Sequence, residues 1–145
     1  MNKRQAVAAR RRRVTGARPG ARKATQHSPR QSPDILAELR SLGDPQAVEG
    51  MARFGIETQR AYGVSVPTLR RMARDIGTHH ALALQLWSSR VHEARILASM
   101  IDDPSRVTAR QMEGWAKYFY SWDVCDQCCG NLFARTPLAY RKAVQ

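Results

Sequence analysis

Six consecutive residues, Ser121-Trp122-Asp123-Val124-Cys125-Asp126, hold the most chemically suggestive spacing in the chain. Trp122 and Asp126 are four apart, so a helix sets them side by side. Asp126 falls at the margin of an apolar face set by the cysteines, and Gly130, one turn further on, leaves open space beside it. A carboxylate next to an indole at a core edge suits a cationic ligand, because the charge and the ring quadrupole both attract one. The alternative is that Asp123 helps cap this helix and Asp126 pairs with a neighbouring arginine.

Other chemistry-bearing residues are less specific. Cys125-x-x-Cys128 has the spacing of half a zinc or redox site, but a structural zinc needs four ligands and the sequence holds no second cysteine pair. No metal or other cofactor is therefore expected. At helical spacing Cys125, Cys128, Cys129 and Leu132 share one face, which is what a packed core requires. His92-Glu93-Ala94-Arg95 opens another helix; Glu93 there reads as ordinary helix electrostatics, and His92 lacks an identified partner as an acid or base. Arg70, Arg71 and Arg74 lie on one helix, as phosphate contacts or as a solvated basic face.

The elements that must position these residues are helical. Ser32-Pro33, Asp44-Pro45, Ser65, Thr78, Thr108, Ser121 and Thr136-Pro137 are start signals, and Gly43, Gly55, Gly77 and Asp102-Asp103-Pro104 are stops. Between them run apolar stripes of helical period, such as Ile35, Leu36, Leu39 and Leu42. A fifth helix is expected over about 91–101 and a seventh over about 122–133, with 56–64 a loop. No Val/Ile/Thr alternation between turn dipeptides supports a strand. Eight short helices read as antiparallel pairs, which stack in order into an all-α solenoid; a compact bundle is the structural alternative.

Charge divides the chain. Of its 24 Lys and Arg, ten lie in residues 1–33, which contain no Asp or Glu; the remaining fourteen face twelve acids in residues 34–145. The first 33 residues also lack Ile, Leu, Phe, Trp and Tyr. They cannot bury enough apolar surface to offset chain entropy, so a disordered tail is expected. Arg10, Arg11, Arg12 and Arg13 would attach it electrostatically to phosphates, or the tail is merely solvated. No apolar run is long enough to span a bilayer and no signal-peptide h-region follows the basic start. Three crowded cysteines fit a reducing cytosol, so a cytoplasmic protein is expected, nucleoid-associated where the Arg tail attaches to nucleic-acid phosphates.

Several runs, taken in order, resemble a known family. They are Phe54-Gly55-Ile56, Ala61-Tyr62-Gly63-Val64-Ser65-Val66-Pro67-x-Leu69-Arg70, Leu86-Trp87, His92-Glu93-Ala94-Arg95 and Ser121-Trp122-Asp123-Val124-Cys125-Asp126. Together they are similar to the DNA alkylation repair proteins with HEAT-like repeats, over residues 34–145. The resemblance implies a right-handed solenoid of helical pairs whose concave face holds duplex DNA, alkylated in the case of substrate. It implies a glycosylase that removes cationic N3- and N7-alkylated purines without a metal, with Asp126 and Trp122 at the positions of the family's catalytic aspartate and neighbouring tryptophan. It also places a catalytic arginine and a further DNA-facing tryptophan on helices beyond Gln145. The chain then reads as a fragment, a truncated reading frame or a degenerate member, and catalytic competence does not follow. A solenoid cut at that point would expose an apolar end and self-associate. A non-catalytic helical-repeat scaffold for nucleic acid or protein is the rival function.

Overall fold

The computed structural model describes residues 29–144. Its helices are α1 (Ser32–Ser41), α2 (Pro45–Arg53), α3 (Val66–Ile76), α4 (His80–Ser88), α5 (His92–Ile101), α6 (Ala109–Ala116), α7 (Trp122–Asn131) and α8 (Ala139–Ala143), with a 3-10 turn at Phe133–Arg135. No strand occurs among the described residues. The expected tail falls almost wholly outside them.

Side-chain caps set half of the helix starts. Asp44 accepts from the Gln46 amide, Ser65 from Thr68 and Thr108 from Gln111, each satisfying a donor that the first turn leaves unpaired. At α4 the cap is His79 instead of Thr78: its Nδ1 accepts from the Leu82 amide at 3.2 Å. Thr136 does not open α8. Its buried hydroxyl donates to the Phe133 carbonyl at 2.8 Å and closes the 3-10 turn, so α7 ends at Asn131 and α8 starts three residues after Thr136.

Helix directions follow from which ends meet. The His79 amide donates to the Ile101 carbonyl at 2.7 Å, joining the start of α4 to the end of α5, so these two are antiparallel. The start of α5 meets the start of α7 through His92 and Asp123, and Ser99 late in α5 meets Asn131 at the end of α7. These helices are therefore parallel. The C-terminal turn of α3 adjoins Met100 of α5, which extends the same parallel layer. On the other side Trp87 of α4 and Trp115 of α6 stack with centroids 4.1 Å apart. Two layers result, α3-α5-α7 and α4-α6, as stacked antiparallel pairs require.

Helix α5 is the middle helix of its layer, with every residue buried except the half-buried Met100. Leu69, Met72, Leu82, Leu86, Cys128 and Leu132 of the neighbouring elements pack with its Leu97 and Ile101 in one core. Four of its buried residues are polar, and each finds partners. Glu93, 0% exposed, accepts from the Tyr62 amide at 3.0 Å with both oxygens and from the Gly63 amide at 2.7 Å. It is thus a buried clamp on the loop entering α3 and more than a helix-start charge. Gly63 is fixed there by geometry: its φ is +83° and a Cβ would stand 2.3 Å from the Asp44 carbonyl oxygen.

Candidate nucleic-acid interface

Helix α7 presents its core seam through Val124, Cys128 and Leu132, all buried. Trp122, Asp126 and Gly130 are each offset from that seam by two residues, about 200° of helical rotation, and so lie on the opposite face. The placement differs from the core margin expected for Asp126. Cys129 is exposed and Cys125 half-buried, so only Cys128 takes the core role foreseen for all three.

The exposed strip has fixed and open parts. Trp122 is 57% exposed, yet its indole Nε1 donates to the Phe54 carbonyl at 3.1 Å, which anchors one edge and leaves ring surface to solvent. The Asp126 carboxylate makes no hydrogen bond or ion pair among the described residues, so the arginine partner of the alternative reading is absent there. A Cβ at Gly130 would meet nothing within 4 Å. The strip can therefore take a ligand beside a free carboxylate and an anchored indole.

Gly130 also lines a groove of about 400 Å³ across the C-terminal ends of α3, α5 and α7. Arg70, Arg74 and Arg135 line it, and no acidic residue does. The structure thus brings two of the three expected α3 arginines to the same groove as the end of the α7 strip. Arg71 stands apart, its Nη2 donating to Thr68 Oγ1 at 3.3 Å. Arg135 is an addition: it lies in the 3-10 turn, and no sequence pattern joins it to α3. Arg10, Arg11, Arg12 and Arg13 lie outside the described residues.

At the start of the same layer, His92 Nε2 and Asp123 Oδ2 are 2.7 Å apart, which supplies the partner that the sequence did not reveal for His92. Asp123 Oδ1 accepts from the Val124 amide at 2.9 Å, so this carboxylate serves both its helix start and a contact between helices. Among the described residues no group of three His, Cys, Asp or Glu side chains could hold a metal ion, and no helix is long and apolar enough to cross a membrane.

The family model for DNA alkylation repair enzymes matches residues 35–145. Among solved structures, the chain is similar to one reported as "a new family of proteins related to the HEAT-like repeat DNA glycosylases with affinity for branched DNA structures". The TM-score is 0.69 at 19% identity, covering 76% of this chain and 46% of that one. The chain thus spans less than half of that protein, and the likeness bears on the fold. No curated protein matches it.

Proposed function

The chain belongs to the DNA alkylation repair enzyme family, and from that premise we propose that it holds duplex DNA against the α7 strip and the Arg70/Arg74/Arg135 groove. In the full domain this would serve excision of cationic N3- or N7-alkylated purines. The observation that carries the reading is continuity: Trp122, Asp126 and Gly130 form one exposed strip, and Gly130 opens onto a groove lined by three arginines and no acid. Guanidinium groups there would neutralise backbone phosphates, while the α7 strip would meet the lesion-bearing nucleotide.

The chemistry suits the residues. An alkylated purine already carries positive charge, so it departs as a neutral base with the electrons of the N-glycosidic bond and needs no general acid. Positive character moves onto the deoxyribose, where a carboxylate at Asp126 stabilises it electrostatically. Water adds to the anomeric carbon and its proton passes to solvent. Trp122, anchored through Phe54, would pack against the nucleotide and favour a cationic base. A non-catalytic DNA-binding role is the second reading, favoured by the branched-DNA affinity ascribed to the structural relative.

Single-turnover release of 7-methylguanine from an alkylated duplex separates the two. Asp126→Asn keeps shape and removes charge, so excision should fall about 100-fold or more while DNA affinity holds or rises. Equal release by the wild type and Asp126→Asn would remove the enzymatic reading. Duplex binding without release by either protein would leave the binding role alone.

A further inference from the structure

The groove just described has a counterpart at the opposite, N-terminal end of the α3-α5-α7 layer. A cavity of about 440 Å³ opens there between the loop before α3, the α4–α5 link and the α6–α7 link. Arg60, Arg90 and Arg95 line it with Tyr118 and Tyr120, and Glu57 is its one carboxylate. We propose that this cavity is a site for an unpaired nucleotide, whose phosphate is held by the three arginines and whose base stacks on Tyr120.

The charge arrangement asks for an anion. Arg95 is 5% exposed, and among the described residues no carboxylate pairs with it, with Arg60 or with Arg90. Its guanidinium makes two long hydrogen bonds, Nε to the Trp87 carbonyl at 3.5 Å and Nη1 to the Tyr118 carbonyl at 3.4 Å. Among the described residues Nη2 has no hydrogen-bond acceptor. Burial pushes the Arg95 pKa below its ordinary value, and the nearby charges of Arg90 and Arg60 push the same way. A buried charge is costly unless paired, and aromatic contacts compensate it only in part. A phosphate would offset both the burial and the mutual repulsion of the three arginines.

The backbone gives a second, independent sign. Arg90 has φ +62°, the non-glycine residue with positive φ among those described. It follows α4 at the position where helices most often place glycine. The Arg90 side chain lines the cavity from this left-handed backbone, and such outliers cluster at functional sites.

The aromatic groups favour a nucleotide over a bare anion. Tyr120 is 63% exposed, and its ring centroid lies 5.4 Å from the Arg95 guanidinium carbon, so phosphate and base sites adjoin. Tyr118 packs edge-on against Tyr120 with centroids 5.8 Å apart and holds that ring in place. A base within a duplex has both faces covered, so the base that stacks on Tyr120 is unpaired. This inference goes beyond the duplex reading, since it uses other residues at the other end of the layer.

The test is a nuclear magnetic resonance titration of the full chain, following the Arg95 Nε–H signal, with thymidine 5′-monophosphate, thymidine and inorganic phosphate as separate ligands. The nucleotide should move that signal and bind at least ~10-fold more tightly than either half alone. Arg90→Gly, which suits the backbone, and Tyr120→Ala, at an exposed position, should each weaken nucleotide binding by ~10-fold or more. Arg70→Gln/Arg74→Gln should leave it unchanged, which separates this site from the duplex groove. Equal binding of nucleotide and inorganic phosphate, with Tyr120→Ala neutral, would overturn the nucleotide assignment. So would a phosphorylated peptide that binds as tightly as a short oligothymidine, and an unmoved Arg95 signal would overturn the site itself.

Discussion

The imidazole Nε2 of His92 stands 2.7 Å from the carboxylate Oδ2 of Asp123, joining the first residue of α5 to the first turn of α7 across 31 positions of sequence. Both side chains are largely buried, at 7% and 17% exposure. The contact fixes the end of the helix that carries Trp122 and Asp126.

It follows that Asp123 is not an inert neighbour of Asp126. Asp123→Ala removes the His92 contact and the bond from the Val124 amide together, and should cost about 2 kcal/mol on urea unfolding. His92→Gln should cost a similar amount. The double variant should lose less than the two losses combined, with a coupling of at least ~0.5 kcal/mol. Strict additivity would show that the two side chains are adjacent without interacting.

Glu93 and Gly63 make a second joint. Glu93→Gln replaces an acceptor oxygen with an amide group facing the Tyr62 and Gly63 N–H donors, and should lower stability by about 2 to 4 kcal/mol. Gly63→Ala meets both the positive φ and the Asp44 carbonyl, and should cost more than about 2 kcal/mol. Thermal unfolding of both variants measures this. A loss under about 0.5 kcal/mol in either would mean that the loop before α3 is not held as described.

These joints mark the boundary of what the sequence reveals. Asp44, Ser65 and Thr108 were legible as caps because a cap and its target are two or three residues apart. The rhythm of helices was legible for the same reason. The partners of His92 and Glu93 lie about thirty positions away, and nothing in a local pattern points to them. Cys129 was misplaced because three cysteines at helical spacing do not say which column of the helix meets α5; the seam is Val124, Cys128 and Leu132. The pair Trp122 and Asp126 was legible from spacing alone, but its exposure was not. The Arg60/Arg90/Arg95 cavity draws on three separate segments and left no motif at all.

Salt dependence tests the groove. Each neutralised phosphate contributes roughly 0.9 to the slope of log affinity against log salt, so Arg70→Gln/Arg74→Gln should lower that slope by about 1 to 2 on duplex DNA. Arg71→Gln should change it little, because Arg71 lies outside the groove and donates to Thr68. Deleting residues 2–32, which include Arg10 to Arg13, should remove several units. If the deletion removes the entire slope, the groove makes no phosphate contacts and the proposed interface fails.

Cys129 offers a reporter on the strip itself. It is exposed, three positions beyond Asp126, whereas Cys128 is wholly buried. The Cys129 thiol is held above its ordinary pKa, first by partial desolvation, then by Cys125, with the Asp126 charge adding to it. Cys128 is raised by burial above all. A raised thiol pKa means less thiolate at a given pH, so disulfide-exchange labelling at pH 8 should be slower at Cys129 than at a free cysteine and should accelerate as pH rises. Cys128 should label only on unfolding. Asp126→Asn removes one of the charges that disfavour the thiolate, and labelling of Cys129 should quicken at unchanged stability. Duplex DNA should slow it, by covering the strip and by adding negative charge. Labelling indifferent to both Asp126→Asn and saturating duplex would place Cys129 and Asp126 outside the bound surface, and the α7 strip would lose its assignment.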